Sequence, residues 1–379
     1  MIDHSIDLGL LRGLAELERT ERGWLPHRLP ARARAQCPDP QLRAVEAQPA
    51  GVRLVFRTRA TVIELDLLRT TAVLVGVPDR ADGTVDLLLD GKLARQARTT
   101  GGDVMRTDPA SGRTEIERGA PGTVRFDALP AHDKDVAMWL PHYERVELVA
   151  VRTDEPITRA PTGERRTWLH HGSSISQGSN AASPSTTWPA LAASLGGVEL
   201  INLGLSGSAM LDPFTARTMR DTAADFLSVK IGINLVNADV MRERAFGPAV
   251  HGFLDTIRDG HPDTPLLVVG PLSCPMHEHT PGPVTFDLDA LALGEVRFRA
   301  TGDPADTARG RLTLSVIRDQ LAHIVSERML DDPTLKYLDG RDLYGPGDID
   351  DHPLPDNLHP DASTHHLIGQ RFARVAFLA

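Results

Sequence analysis

Between about Pro49 and Thr153 apolar and polar residues alternate in short runs: GVRLVFRT, TVIELDLL, TAVLVGV, TVDLLLDGKL, GTVRFDAL and ERVELVAVRT. Gly, Pro and Asp separate them. A period of two puts every second side chain on one face, which is the pattern of a half-buried strand. Short strands at this spacing predict an all-β sandwich or jelly roll. Ahead of them, MIDHSIDLGLLRGLAELERTERG reads as an amphipathic helix. Behind them, TDEPITRAPTGERRT is polar, carries two prolines and a glycine, and reads as a linker.

Past the linker the pattern changes. Strand-like runs RTWLHHG, VELINLG, FLSVKIGIN, PLLVVGPL and LKYLDG alternate with helical stretches, the last of them HHLIGQRFARVAFLA. Five strands interleaved with helices predict a doubly wound parallel α/β sheet. The expected organisation is therefore residues 1–155, a helix plus β-sandwich, followed by an α/β domain over residues 166–379.

Composition narrows the class. The 379 residues suit two domains, and 41% hydrophobic with 24% charged residues suits a globular protein with ample core. A net charge of −10 argues against nucleic acid or an anionic membrane as the main partner. Cys37 and Cys274 stand far apart, so no disulfide framework is indicated. The first residues lack the basic-then-apolar layout of a signal peptide, and a cytoplasmic location is the expectation. The oligomeric state is not legible.

The chemistry gathers in the second half. In TWLHHGSSISQG a strand breaks into Gly-Ser-Ser, so Ser173 or Ser174 stands at the carboxyl end of a strand, where open α/β sheets bind ligands. Near the end of the chain, Asp356 and His359 lie three residues apart in PLPDNLHPDASTHHLIGQRF. A carboxylate at that spacing holds an imidazole in one tautomer. The same spacing also serves a helix N-cap, with Asp356 or Asp361 as the cap. A serine at one strand end and a histidine from the last strand-to-helix loop converge at one edge of a parallel sheet, in the order Ser, Asp, His. NLGLSGSA and KIGIN then offer donors for an oxyanion, the backbone N–H of Gly207 and the amide of Asn234 at the end of the third strand. CPMHEH, from Cys274 to His279, carries metal-capable side chains without a second ligand pair, so no metal is expected. The stretch from Thr280 to Arg309 is an aperiodic insertion with the character of a lid or binding loop.

Four blocks in order resemble the SGNH hydrolases, also called GDSL esterases and lipases: GSSISQG, NLGLSG, GINL and DNLHP. The resemblance spans about Arg166 to Ala379. It implies a flavodoxin-like α/β/α sandwich of five parallel strands. It makes Ser174 the nucleophile, His359 the base and Asp356 its orienting carboxylate, with Ser174, Gly207 and Asn234 forming the oxyanion hole and no cofactor. The β-rich half is similar in architecture to the jelly-roll domain of some carbohydrate esterases. Two family aspartates are replaced, by Ser173 and Leu235. The expected activity is a serine esterase cleaving short acyl esters, acetyl among them, from a carbohydrate or small metabolite. Acyl transfer on the same site, or a weakly catalytic sugar-binding protein, are the alternatives.

Overall fold

A computed structural model describes residues 1–108, 111–161, 163 and 165–378; two linker residues, Thr162 and Glu164, and the terminal Ala379 lie outside them. The chain divides into two compact units. The first holds Met1–Ala31, Arg43–Glu164 and Ser183–Ser185, and the second holds Arg32–Leu42, Arg165–Ala182 and Thr186–Ala379.

Among the described residues, the first unit contains an eight-stranded and a six-stranded sheet, antiparallel apart from one parallel pair, Thr70–Leu74 with Asp103–Thr107. Every alternating run becomes strand. Leu54 and Phe56 from one sheet and Ile63, Leu65 and Leu67 from the other enter a single apolar core. TVIELDLL and TAVLVGV fuse into one strand, Ile63–Leu74.

The expected N-terminal helix is not formed. The segment makes short strands, Ile2–His4, Leu11–Arg12 and Glu16–Arg19, around a 3-10 turn at Leu8–Leu10. Gly13 sits at φ +84°, which ends any helical path there. Ile2–His4 pairs with Val151–Thr153, about 150 positions along the chain, a contact that local propensity does not register. The expected linker also contributes a strand, Ile157–Arg159, paired with Phe56–Thr58. Ser183–Ser185 joins this unit because buried Asp86 accepts hydrogen bonds from Ser183 Oγ (2.6 Å), Ser185 N (2.9 Å) and Ser185 Oγ (2.6 Å).

In the second unit, β1 (Thr167–Gly172), β2 (Glu199–Gly204), β3 (Phe226–Lys230), β4 (Leu266–Val269) and β5 (Leu335–Leu338) form one parallel sheet in the order β2-β1-β3-β4-β5. Helices alternate with the strands: α1 (Ser174–Gln177), α2 (Trp188–Gly196), α3 (Pro213–Asp221), α4 (Ile233–Ala238), α5 (Glu243–Arg258), α6 (Leu314–Arg328) and α7 (Ala362–Ala376). This is the expected five-stranded parallel α/β fold. After β1 the chain places β2 on one side and β3 on the other. The resulting switch point at the carboxyl ends of β1 and β3 is where such sheets bind ligands. The segment Arg32–Leu42 packs with this unit through an Arg32–Asp221 ion pair and a Gln41 Nε2–Ser206 O hydrogen bond of 3.0 Å.

Candidate active site

The strand β1 ends at Gly172, a position that admits nothing larger than glycine. A Cβ there would lie 2.3 Å from Ser176 Oγ, and one on Gly204 would lie 2.4 Å from Gln177 N. The two glycines let the short helix α1 cross the ends of β1 and β2 in close contact. Gly178, at φ +118°, ends it after one turn. Ser174 is thereby set at the first helical position, where its N–H is not consumed by the helix.

His359 arrives on the loop between β5 and α7. Asp361 caps α7, accepting from Thr364 N at 2.8 Å. Asp356 is thus left free of the capping role that its spacing also allowed. Its Oδ1 accepts from Leu358 N (2.9 Å) and His359 N (2.6 Å), and its Oδ2 accepts from His359 Nδ1 (2.8 Å). The opposite ring nitrogen, Nε2, lies 3.0 Å from Ser174 Oγ. Three residues separated by up to 185 positions form one chain of contacts. Burial pushes the Asp356 carboxyl up, but the hydrogen bond and charge of His359 with the two backbone N–H bonds outweigh it, and the carboxyl is held below its usual range. It stays ionised at neutral pH, as the partner of an imidazolium must.

Asn234 is a correction in detail. It does not end a strand; β3 stops at Lys230, and Asn234 lies in the first turn of α4, buried, after Gly232 at φ +136°. Its Oδ1 accepts from Ala209 N at 3.1 Å, which fixes the amide and leaves Nδ2 to donate. Ala209 belongs to the loop that carries Gly207, itself at φ +71°, so this bond ties both expected oxyanion donors together. Gly207 joins the group through that loop. Leu235, standing where the family pattern has aspartate, is fully buried core.

Sequence reasoning missed three residues here. Asn180 places Nδ2 3.4 Å from Asp356 Oδ2. Phe298, from the Thr280–Arg309 insertion, packs its ring edge-on to His359 with centroids 5.7 Å apart. The third, Lys230, interrupts the apolar run FLSVKIGIN, and that was the available signal. Its Nζ is fully buried 3.5 Å from Ser173 Oγ. It lines a small cavity with Ile175, Ile233, Leu358 and Pro360, chain neighbours of Ser174, Asn234 and His359. Ser273 Oγ, also in that wall, is buried without a hydrogen-bond partner.

Burial lowers the Lys230 amine from 10.5 to about 8. At about 1.36 kcal/mol per pKa unit, the folded state gives up roughly 3 kcal/mol at neutral pH to keep this cation. Between pH 8 and 10.5 the unfolded chain binds more protons than the folded one, so stability rises with pH through that window. Lys230→Met is expected to raise the denaturation midpoint at pH 7 and to flatten that rise. Equal midpoints in the two proteins at pH 7 would show that the cost is absorbed elsewhere.

Residues 166–277 match the model of the GDSL-like lipase/acylhydrolase family. The second unit carries a GDSL-like lipase/acylhydrolase segment over those residues. The matched residues include Ser174, Gly207 and Asn234 and stop before Asp356 and His359, which the fold brings to the same strand ends. The whole chain is similar to the structure of a salicylyl-acyltransferase from a tetracycline biosynthetic pathway, at 27% identity and TM-score 0.78, over 97% of this chain and 95% of that one. It also shares its fold with a Bacteroides ovatus protein described as a GDSL-like lipase (20% identity, TM-score 0.66, 97% and 95% covered). A family two carbohydrate esterase from Clostridium thermocellum shares it too (12% identity, TM-score 0.56, 86% and 91% covered). No curated protein sequence matches the chain. CPMHEH, at the end of the matched segment, is engaged structurally: Glu278 accepts from Cys274 N at 3.0 Å and pairs with Arg318.

Proposed function

We propose that the protein is a serine-dependent acyl hydrolase of the GDSL type acting on short acyl esters through an acyl-enzyme. The observation that carries this reading is the contact chain Ser174 Oγ–His359 Nε2 (3.0 Å) and His359 Nδ1–Asp356 Oδ2 (2.8 Å). Ser174 Oγ attacks the ester carbonyl carbon while His359 Nε2 takes the hydroxyl proton. Asp356 stabilises the imidazolium. Negative charge on the carbonyl oxygen meets the N–H groups of Ser174 and Gly207 and the Asn234 Nδ2. Collapse expels the alcohol, which leaves with the proton from Nε2. Water, deprotonated by His359, then releases the acid and restores Ser174.

Full-length protein incubated with p-nitrophenyl esters of increasing chain length and with acetylated sugars tests this, and turnover of none of them opposes it. A second reading, transfer of the acyl group to an alcohol acceptor, has specific support in the likeness to an acyltransferase along 97% of the chain. Both readings share every step up to the acyl-enzyme. Adding an alcohol acceptor and measuring the partition between ester and acid separates them.

The oxyanion role of Asn234 is expected to appear as a kcat effect. Asn234→Ala removes a donor that acts on charge formed in the transition state, so kcat is expected to fall roughly 10²–10³-fold with KM little changed. A folded variant with unaltered kcat places the amide outside the site.

A further inference from the structure

Among the described residues, the insertion after CPMHEH folds as a hairpin, Val284–Phe286 against Phe298–Ala300, with a short helix, Leu288–Ala292, in the connection. Phe286 and Phe298 face each other across the register and stack, ring centroids 5.1 Å apart and planes 27° from parallel. The hairpin is fixed to the loop carrying His359. Phe298 N donates to Asp356 O at 2.9 Å, and Asn357 Nδ2 donates to Phe298 O at 3.2 Å. Both rings are half-buried, and on the same hairpin Leu288 and Leu293 are 68% and 80% exposed. Aromatic residues make up only 4% of the chain, and Trp168, Trp188 and Phe372 are spent in the core. A pair of stacked, partly open rings, one of them edge-on to the imidazole, therefore asks for an explanation.

The chemistry of acyl transfer supplies a direction. His359 returns its proton to the departing oxygen, so the alcohol part of an ester lies alongside the imidazole, and whatever packs on that ring borders the alcohol. The group packed there is Phe298. What borders the imidazole on this side is an aromatic surface: Phe298 edge-on to the ring, with Phe286 stacked behind it. We infer that Phe286 and Phe298 form the alcohol-side subsite, and that it takes a planar aromatic alcohol, a phenol or fused-ring hydroxyl, as leaving group or acyl acceptor. The inference rests on the acyl-enzyme reading proposed above.

The test holds the acyl group constant. The full-length protein and its Phe298→Ala and Phe298→Leu variants are assayed with 2-naphthyl acetate and ethyl acetate. Comparing each variant with the parent on the same ester cancels the difference in leaving-group reactivity. Loss of an aromatic contact is expected to lower kcat/KM for the naphthyl ester by about 10-fold or more in Phe298→Ala, mainly through KM. Ethyl acetate should change by less than about 3-fold, and Phe298→Leu should lie between. In parallel, 2-naphthol binding is measured by calorimetry in the Ser174→Ala background, with and without Phe298→Ala. About 10-fold weaker binding is expected when the ring is removed. An equal fall for both esters, or unchanged naphthol binding, overturns the inference. If no acetate is turned over by the parent, the hydrolase reading fails while the naphthol measurement still decides the subsite.

Discussion

Ser174→Ala is expected to lower ester turnover by roughly 10⁴-fold or more and to abolish labelling by a fluorophosphonate, because the variant has no oxygen to form the acyl-enzyme. Ser173→Ala is the informative companion. The two hydroxyls are adjacent, yet they point into different surroundings: Ser174 Oγ lies 3.0 Å from an imidazole, and Ser173 Oγ lies 3.5 Å from the Lys230 amine. Ser173 also precedes α1 as its N-cap residue, with an extended backbone and no capping hydrogen bond from its side chain. Its alanine variant is expected to keep a measurable fraction of activity and full labelling. Mass spectrometry of the labelled peptide decides, and a label on Ser173 would falsify the assignment of the nucleophile.

Asp356→Asn is expected to cost roughly 10³–10⁴-fold in kcat/KM while leaving the fold intact. The reason lies in how the carboxylate divides its two oxygens. Oδ1 serves the loop by accepting from the backbone of Leu358 and His359, and Oδ2 serves the ring at Nδ1. An asparagine that keeps its oxygen on the backbone side turns its amide nitrogen toward Nδ1. The imidazole must then accept at Nδ1 and carry its proton on Nε2, facing Ser174 Oγ as a donor. A base in that tautomer cannot take the serine proton. Asp356→Ala provides the comparison: loss of the backbone bonds should lower thermal stability as well, whereas the asparagine variant should unfold near the parent temperature. Parent-like turnover in Asp356→Asn removes the carboxylate from the mechanism.

How much of this was legible in the chain differs from feature to feature. The alternation in GVRLVFRT and ERVELVAVRT predicted strands correctly because one face of each is buried, and burial writes its period into the sequence. The N-terminal residues misled because their strand state depends on pairing with a segment about 150 positions away, which leaves no local trace. Asn234 was placed at a strand end because KIGIN reads as one apolar run; the turn at Gly232 is a backbone event that the letters do not show. Lys230 was visible as a lone charge in that run, but its proximity to Ser173 was not.

The sequence by itself determined the alternation of strands and helices in the second half, the parallel character of its sheet, and the residue types in the four blocks that meet at the site. Period and turn chemistry are local, and local physics reads them. Only the tertiary structure decided that Asp361, and not Asp356, caps the last helix; that Ser174 and His359, 185 positions apart, lie 3.0 Å from each other; and that Phe298 lies against the imidazole. These are consequences of sheet order and loop closure. Both are settled by how the whole chain packs, and no window of neighbouring residues encodes them.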